Sequence, residues 1–288
     1  MLALCSRVPP NVLKTTRLSA FYRTAFVTGA STGLGRAFTE MLLDEGVQVW
    51  GTAREISRLA PLVKETAFTP VVLDLKDGSE AESIYQKASV AAGGFDIVIN
   101  NAGYGVFGDF AATKFRVWQE QIEVMLVNPA RLSHLAMNEM RARDTPSALV
   151  NISSLAAEFP LPFQSTYNIV KAGLTALNES LMIETAGSAI VILDVRPGDY
   201  RTDFESSVQR PKQPLSASMS RAWAAFESMM QSGPAPDHAA NALRRALLRR
   251  RSATVRCGRF FQANMAPFLA RFGSLATKRR IQAKYFDL

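Results

Sequence analysis

Residues Thr28 to Gly35 read TGASTGLG, and that octet constrains the fold more than any other stretch of the chain. A short apolar run, TAFVT at Thr24 to Thr28, leads into it, and a helical pattern follows it. Gly29, Gly33 and Gly35 stand in the spacing G-x-x-x-G-x-G. Such a turn needs glycine where φ is positive and where a side chain would keep the backbone from a pyrophosphate. The helix behind it offers free N–H groups and a positive dipole end to phosphate. Strand, turn and helix together predict a nucleotide-binding unit with Gly29, Ser31, Thr32, Gly33, Leu34 and Gly35 as contact residues.

The same alternation continues along the chain. From Leu34 to Glu45 the apolar positions Ala37, Met41 and Leu42 fall at helical spacing, and Gly46 closes the segment. VQVWGT (Val47 to Thr52), PVVLDL (Pro70 to Leu75), FDIVI (Phe95 to Ile99), ALVNI (Ala148 to Ile152) and IVILDV (Ile190 to Val195) read as buried strands, with a helix over Ser79 to Ala92. Strands alternating with helices predict an α/β fold: a doubly wound parallel sheet in a single domain with a C-terminal helical extension. The expected organisation is an N-terminal extension over residues 1–23, a core over 24–202, a lid region over 203–240 and a basic extension over 241–288.

The second strand ends in Ala53-Arg54, with no acid where an NAD-preferring protein would bind the ribose 2′-hydroxyl. Arg54 suits a 2′-phosphate, which it can meet with two parallel hydrogen bonds. NADP(H) is the expected cofactor.

Four further motifs follow in order: NNAG at Asn100 to Gly103, NISS at Asn151 to Ser154, YNIVK at Tyr167 to Lys171, and PG at Pro197-Gly198. With the glycine turn, this set resembles the short-chain dehydrogenase/reductase family over roughly residues 24 to 202. The resemblance implies a Rossmann-type fold, a nicotinamide cofactor, and hydride exchange between an alcohol and a carbonyl. It makes Ser154, Tyr167 and Lys171 the catalytic residues, with Ser153 as the competitor of Ser154. Asp74 and Leu75 then lie at the adenine, Asn101, Ala102 and Gly103 beside the adenosine ribose, and Thr202 near the nicotinamide carboxamide, with Pro197, Gly198, Tyr167 and Lys171 also on the cofactor. Lys171 lies one helical turn from Tyr167, so its ammonium is expected to lower the phenol's pKa.

One position departs from the family pattern. Counting from Asn100, the asparagine that family members carry on the helix after NNAG falls at Met125, within QIEVMLVNP. The register of Pro129 and Leu132 supports this; reading Asn128 as the asparagine needs a three-residue shift. Methionine donates no hydrogen bond. The relay is expected to persist only if the helix keeps its bend, with Asn128 as a nearby side-chain amide.

The net charge of +8 is concentrated at one end. From Asn241 onward there are twelve Arg and Lys against one acid, Asp287, which leaves the other 240 residues at −3. Phe260, Phe261, Met265, Phe268, Leu269 and Phe272 interleave with Arg259 and Arg271, as in a helix lying on anionic lipid or packed on the body or a partner subunit. No apolar run approaches the roughly 18–20 residues of a membrane span. Residues 1–23 contain no acid and suit a transit-like segment, a disordered extension or an early start codon. Cys5 and Cys257 suggest neither disulfide nor metal site, and they fit a reducing compartment. His134 and His238 stand outside the motifs.

The expected protein is a cytoplasmic, membrane-associated or free, homo-oligomeric NADP(H)-dependent oxidoreductase. Its substrate would be a small lipophilic alcohol or carbonyl compound, with Trp223, Phe226, Met229 and Met230 in a lid over it. No metal or nucleic acid is expected. An acyl-thioester ketoreductase and a non-catalytic NADP(H)-binding sensor, for which Met125 is the support, are the alternatives.

Overall fold

The computed structural model describes residues 16–288, so Cys5 and most of the expected N-terminal extension lie outside the described residues. Seven strands form one parallel sheet: β1 (Thr24–Val27), β2 (Gln48–Ala53), β3 (Phe68–Val72), β4 (Ile97–Asn100), β5 (Ser147–Ile152), β6 (Ile190–Pro197) and β7 (Ala253–Cys257). Their spatial order is β3-β2-β1-β4-β5-β6-β7. The order reverses between β1 and β4, which opens the crevice where ligands of doubly wound sheets bind. Strands β1, β4, β5 and β6 are buried at every position, as their mainly apolar runs require.

Helices cover both faces. On one lie α1 (Gly33–Asp44) and, late in the chain, α7 (Pro236–Arg249), around Phe38, Leu42, Val49, Leu243 and Leu247. On the other lie α2 (Gly78–Ala92), α4 (Asn128–Arg143) and α5 (Ser165–Glu184), around Phe26, Tyr85, Phe95, Leu132 and Val170. Local chemistry sets the ends. The Asp77 carboxylate accepts from the N–H groups of Ser79 and Glu80 at 3.0 Å each, which starts α2, and Gly93 at φ 70° ends it.

Three boundaries differ from the sequence reading. The ordered body begins before β1, because Leu18 and Tyr22 are fully buried against the α7 side of the sheet. The region read as a lid holds a full helix, α6 (Ala217–Gln231), capped by Ser216 and packed through Trp223, Phe226 and Met230 on Phe107. The basic extension starts too early at residue 241: α7 runs through that point, with Pro236 at its first turn, and β7 completes the sheet beside β6. The extension proper is the stretch 258–288, with α8 (Ala266–Leu269) and α9 (Leu275–Tyr285). Strand β7 escaped detection because it is a partly exposed edge strand following an arginine run and holding Arg256 itself.

A chain of buried polar side chains crosses the carboxyl end of the sheet. Asn100 Nδ2 donates to Asn151 Oδ1 at 2.8 Å, Asn151 Nδ2 to Asn178 Oδ1 at 2.6 Å, and Asn178 Nδ2 to Asp194 Oδ1 at 3.1 Å. Arg196 then bridges Asp194 and Glu158, both at 2.7 Å, and Arg256 reaches Glu158 at 2.8 Å. Removing one partner of a buried pair strands the other charge. An Arg196→Leu variant should therefore lose about 3 kcal/mol of stability, whereas Arg256→Leu, whose side chain is 30% exposed, should lose less than about 1 kcal/mol. Urea unfolding midpoints compare the two, and equal losses would deny the Asp194–Arg196 pair its special place.

Candidate active site

The glycine turn is locked from three sides. Gly29 and Gly33 have φ of 69° and 55°, and a Cβ on Gly35 would stand 2.1 Å from the Gly29 carbonyl oxygen. No side chain fits there, and the close approach brings α1 against the turn. Asn101 Nδ2 donates to the carbonyl oxygens of Thr28 and Gly29 at 3.0 and 3.3 Å, and Thr52 Oγ1 accepts from Gly29 N–H at 3.2 Å. The Thr28 hydroxyl accepts the N–H groups of Asn101 and Ala102. The turn thus stays open to a phosphate while its backbone is fixed from behind, a cradle that suits a dinucleotide.

Every residue expected to touch cofactor, together with Ser154, lines one cavity of about 830 Å³. Arg54 is exposed at the end of β2 and makes no hydrogen bond or ion pair with another described residue. Arg58 lies on the same cavity wall, four residues further on. It stands on the short 3₁₀ turn Ile56–Leu59 and was missed in the sequence, because a single exposed arginine there carries no pattern.

The two serines separate cleanly. Ser153 Oγ donates to the Asp194 carboxylate and to the Val195 carbonyl, so it belongs to the buried polar chain. Ser154 faces Tyr167, where its hydrogen bonding favours the phenolate. Ser154 Oγ also accepts from Ala156 N–H at 3.0 Å.

Lys171 is buried on α5 and donates from Nζ to the Ile152 carbonyl oxygen at 2.7 Å. Its ammonium stands 5.5 Å from the centre of the Tyr167 ring, over the face. This corrects the expected pKa. Burial pushes the Tyr167 phenol up to about 12, Ser154 works against the rise, and Asp199 adds to it. The same burial brings Lys171 down to about 8, with Asp194 opposing. Desolvation sets the direction for the phenol, with Ser154 rather than Lys171 as the group that opposes it.

Met125 is buried where α3 (Phe115–Ile122) gives way to α4. There Glu123–Val127 form a π-bulge, closed by Asn128 N–H reaching the Glu123 carbonyl five residues back. Met125 Sδ accepts from the Tyr104 N–H at 3.3 Å, and its methyl group fills the space beside Gly103. Asn128 does not offer its amide to the site. Its Nδ2 donates to the Leu75 carbonyl at 2.6 Å and its Oδ1 accepts from Arg131, which pins the loop after β3.

Asp199, directly after Pro197-Gly198, also lines the cavity, and sequence reading passed over it. Burial raises its carboxyl pKa, opposed by the Gln262 amide, which donates to it, and by Arg259. The partner from the far end of the chain is invisible in local sequence. His238 is exposed, with Nδ1 paired to the Tyr200 hydroxyl at 2.8 Å, and His134 pairs with Asn138 on the surface of α4.

The family model for short chain dehydrogenases matches residues 23–213. The chain belongs to the short-chain dehydrogenase/reductase family. An uncharacterised oxidoreductase of Schizosaccharomyces pombe is 30% identical over 211 residues, 73% of this chain and 72% of the relative. The 3-oxoacyl-(acyl-carrier-protein) reductase of Escherichia coli is 31% identical over 182 residues, 62% of this chain and 74% of its own. A solved short-chain dehydrogenase of Streptomyces avermitilis is 32% identical with a TM-score of 0.71, covering 78% of this chain and 83% of that one. This short-chain dehydrogenase/reductase is therefore an NAD(P)-dependent oxidoreductase.

The buried lysine gives a pH signature. Between about 8 and the ordinary 10.5, the unfolded chain holds a proton on Lys171 that the folded chain has released. Stability from this group thus rises with pH through that window, and below it the buried ammonium carries its full cost. Wild type should gain on Lys171→Met across the window by on the order of 3 kcal/mol, read from paired urea unfolding curves. A constant difference would show that the ammonium is not desolvated.

Proposed function

We propose that the protein is an NADP(H)-dependent oxidoreductase that interconverts a lipophilic alcohol and its ketone or aldehyde. One observation carries this reading: the cavity that holds the glycine turn, Arg54, Ser154, Tyr167 and Lys171 is also walled by Phe226, Met229, Leu269 and Ile281. A dinucleotide cradle and an apolar chamber share the same acid–base residues.

When bound, the nicotinamide supplies the hydride. Tyr167, a phenol protonated at neutral pH and pushed further up by burial, gives its proton to the carbonyl oxygen in the reducing direction. Ser154 donates a hydrogen bond to that same oxygen. Lys171, over the ring, steadies the negative charge that the phenol acquires as its proton leaves. Arg54 and Arg58 offer guanidinium groups to a 2′-phosphate, and no acid at the end of β2 favours a bare 2′-hydroxyl. The sensor reading loses support from the π-bulge at Met125, since the helix keeps its bend without asparagine. The Escherichia coli relative's name specifies a 3-oxoacyl thioester, which is the second reading for the substrate.

Two experiments test the proposal. Arg54→Ala should weaken NADPH binding about tenfold to a hundredfold while leaving NADH almost unaffected, by fluorescence titration; equal losses would remove the 2′-phosphate preference. Tyr167→Phe should bind NADPH as wild type does but lose about 10²- to 10⁴-fold in turnover. The panel is lipophilic ketones and aldehydes with a 3-oxoacyl thioester beside them. Tight NADPH binding by wild type with no turnover on any of them would restore the sensor reading.

A further inference from the structure

The stretch 258–288 is clasped over the cavity by specific polar contacts. Gln262 bonds Asp199 and the Tyr285 hydroxyl, Gln282 Nε2 donates to the Pro160 carbonyl at 2.7 Å, and Arg221 donates to the Asp287 carbonyl at 2.8 Å. Phe286 is buried in the cluster of Phe107, Trp223 and Phe226. Arg259 also donates to the Ser232 carbonyl, and Ala263 and Pro267 are buried. The segment's other large aromatic side chains are not among these residues.

Phe260, Phe261, Phe268, Phe272 and Leu275 are 71%, 63%, 54%, 77% and 62% exposed. Phe268 and Phe272 meet only edge to face, at 5.4 Å between ring centres. Five such side chains stand exposed within sixteen residues, Phe261 of them also at the cavity, an apolar density that water does not favour. Around them stand Arg259, Arg271, Lys278, Arg279, Arg280 and Lys284, against the single acid Asp287. Among the described residues, Arg271, Lys278, Arg279, Arg280 and Lys284 have no carboxylate partner. Leu269 and Ile281, from the same segment, are exposed and also line the cavity, so this face adjoins the cavity's rim.

We infer that this face seats on an anionic lipid bilayer. Exposed aromatic and leucine side chains insert at the headgroup–acyl boundary, while interleaved cations meet lipid phosphate and carboxylate. The charge chooses between occupants. A second copy of the chain docked through the same face would set two strongly basic surfaces against each other, whereas an anionic membrane complements them. No helix of the described residues is long and apolar enough to cross a membrane, so the contact is peripheral. That the bilayer also delivers substrate to the rim rests on the lipophilic-substrate reading above; the docking itself does not.

The full-length protein is sedimented with phosphatidylcholine vesicles, with and without phosphatidylserine. Wild type should partition onto the anionic vesicles at least about tenfold better than onto neutral ones, and salt should weaken the partition. A Phe268→Ser/Phe272→Ser variant and a separate charge reversal, Lys278→Glu/Arg279→Glu/Arg280→Glu, should each lose about tenfold or more. All the replaced side chains lie outside the packed clusters, and an unchanged thermal melt confirms folding. The wild-type comparison of the two vesicle types stands even if a variant fails to fold. The inference is overturned by no partition, by partition that both variants retain, or by a concentration-dependent dimer that the phenylalanine variant abolishes while no vesicle is bound. Because the assay reads no turnover, failure of the enzymatic proposal would leave its result intact.

Discussion

The Asp194 carboxylate is fully buried at the carboxyl end of β6, and the arrangement of the site depends on how its charge is met. A lone buried carboxylate is costly, so every group around it is committed. Arg196 supplies the direct countercharge, Ser153 and Asn178 donate to one oxygen, and Lys171 feels the field from the neighbouring helix. These commitments shape the cavity wall: the Ser153 hydroxyl is tied up by Asp194 and Val195, while Ser154 faces Tyr167. Lys171 keeps part of its basicity despite desolvation, because Asp194 opposes the fall. The polar chain continues through Asn178 and Asn151 to Asn100, which ties β4, β5 and β6 together directly beneath the cavity. Stability and chemistry are coupled here through one carboxylate.

At Met125 the backbone bend is held by contacts that do not involve the side chain at that position. The π-bulge is held by the five-residue hydrogen bond from Asn128 to Glu123, and by Asn128's side chain on Leu75. Neither needs a polar group at position 125. The methionine in turn fills the space beside Gly103 and accepts the Tyr104 N–H, so the NNAG turn rests on a flexible thioether. Asn128 therefore works as the anchor of the bend and contributes no amide to the site.

Much of this was legible in the sequence where one residue type answers one local demand. Gly35 has to be glycine because the Gly29 carbonyl leaves no room for a Cβ, and that steric demand is written in the octet itself. The strand runs were legible because burial on both faces leaves them few polar positions. What escaped depends on distant parts of the chain. Strand β7 is partly exposed and gains its place by pairing with β6, far earlier in the chain, and α7 hides in an arginine-rich stretch whose apolar face meets α1. Asp199 takes its character from Gln262, and the Tyr167 phenol from the burial around it, neither of which follows from helical spacing. Charge counting misled for the same reason: it assigned to a tail the arginines of α7 and β7.

The wall built by α6 and the stretch 258–288 explains why the Tyr167 pKa moves opposite to simple expectation. An open sheet edge would leave the phenol in water, where the nearby ammonium alone would set its bias. Phe204 packs on the Tyr167 ring at 5.9 Å, while Phe226, Leu269 and Ile281 enclose the same cavity. The half-buried phenol has few groups to replace the water a phenolate would need, so its pKa is pushed up. The same apolar lining weakens screening inside the cavity and strengthens each electrostatic contact there, including the one between Lys171 and the Tyr167 ring. The apolar wall thus widens the margin by which the phenol stays neutral, a state that its ordinary pKa near 10 already gives it at neutral pH.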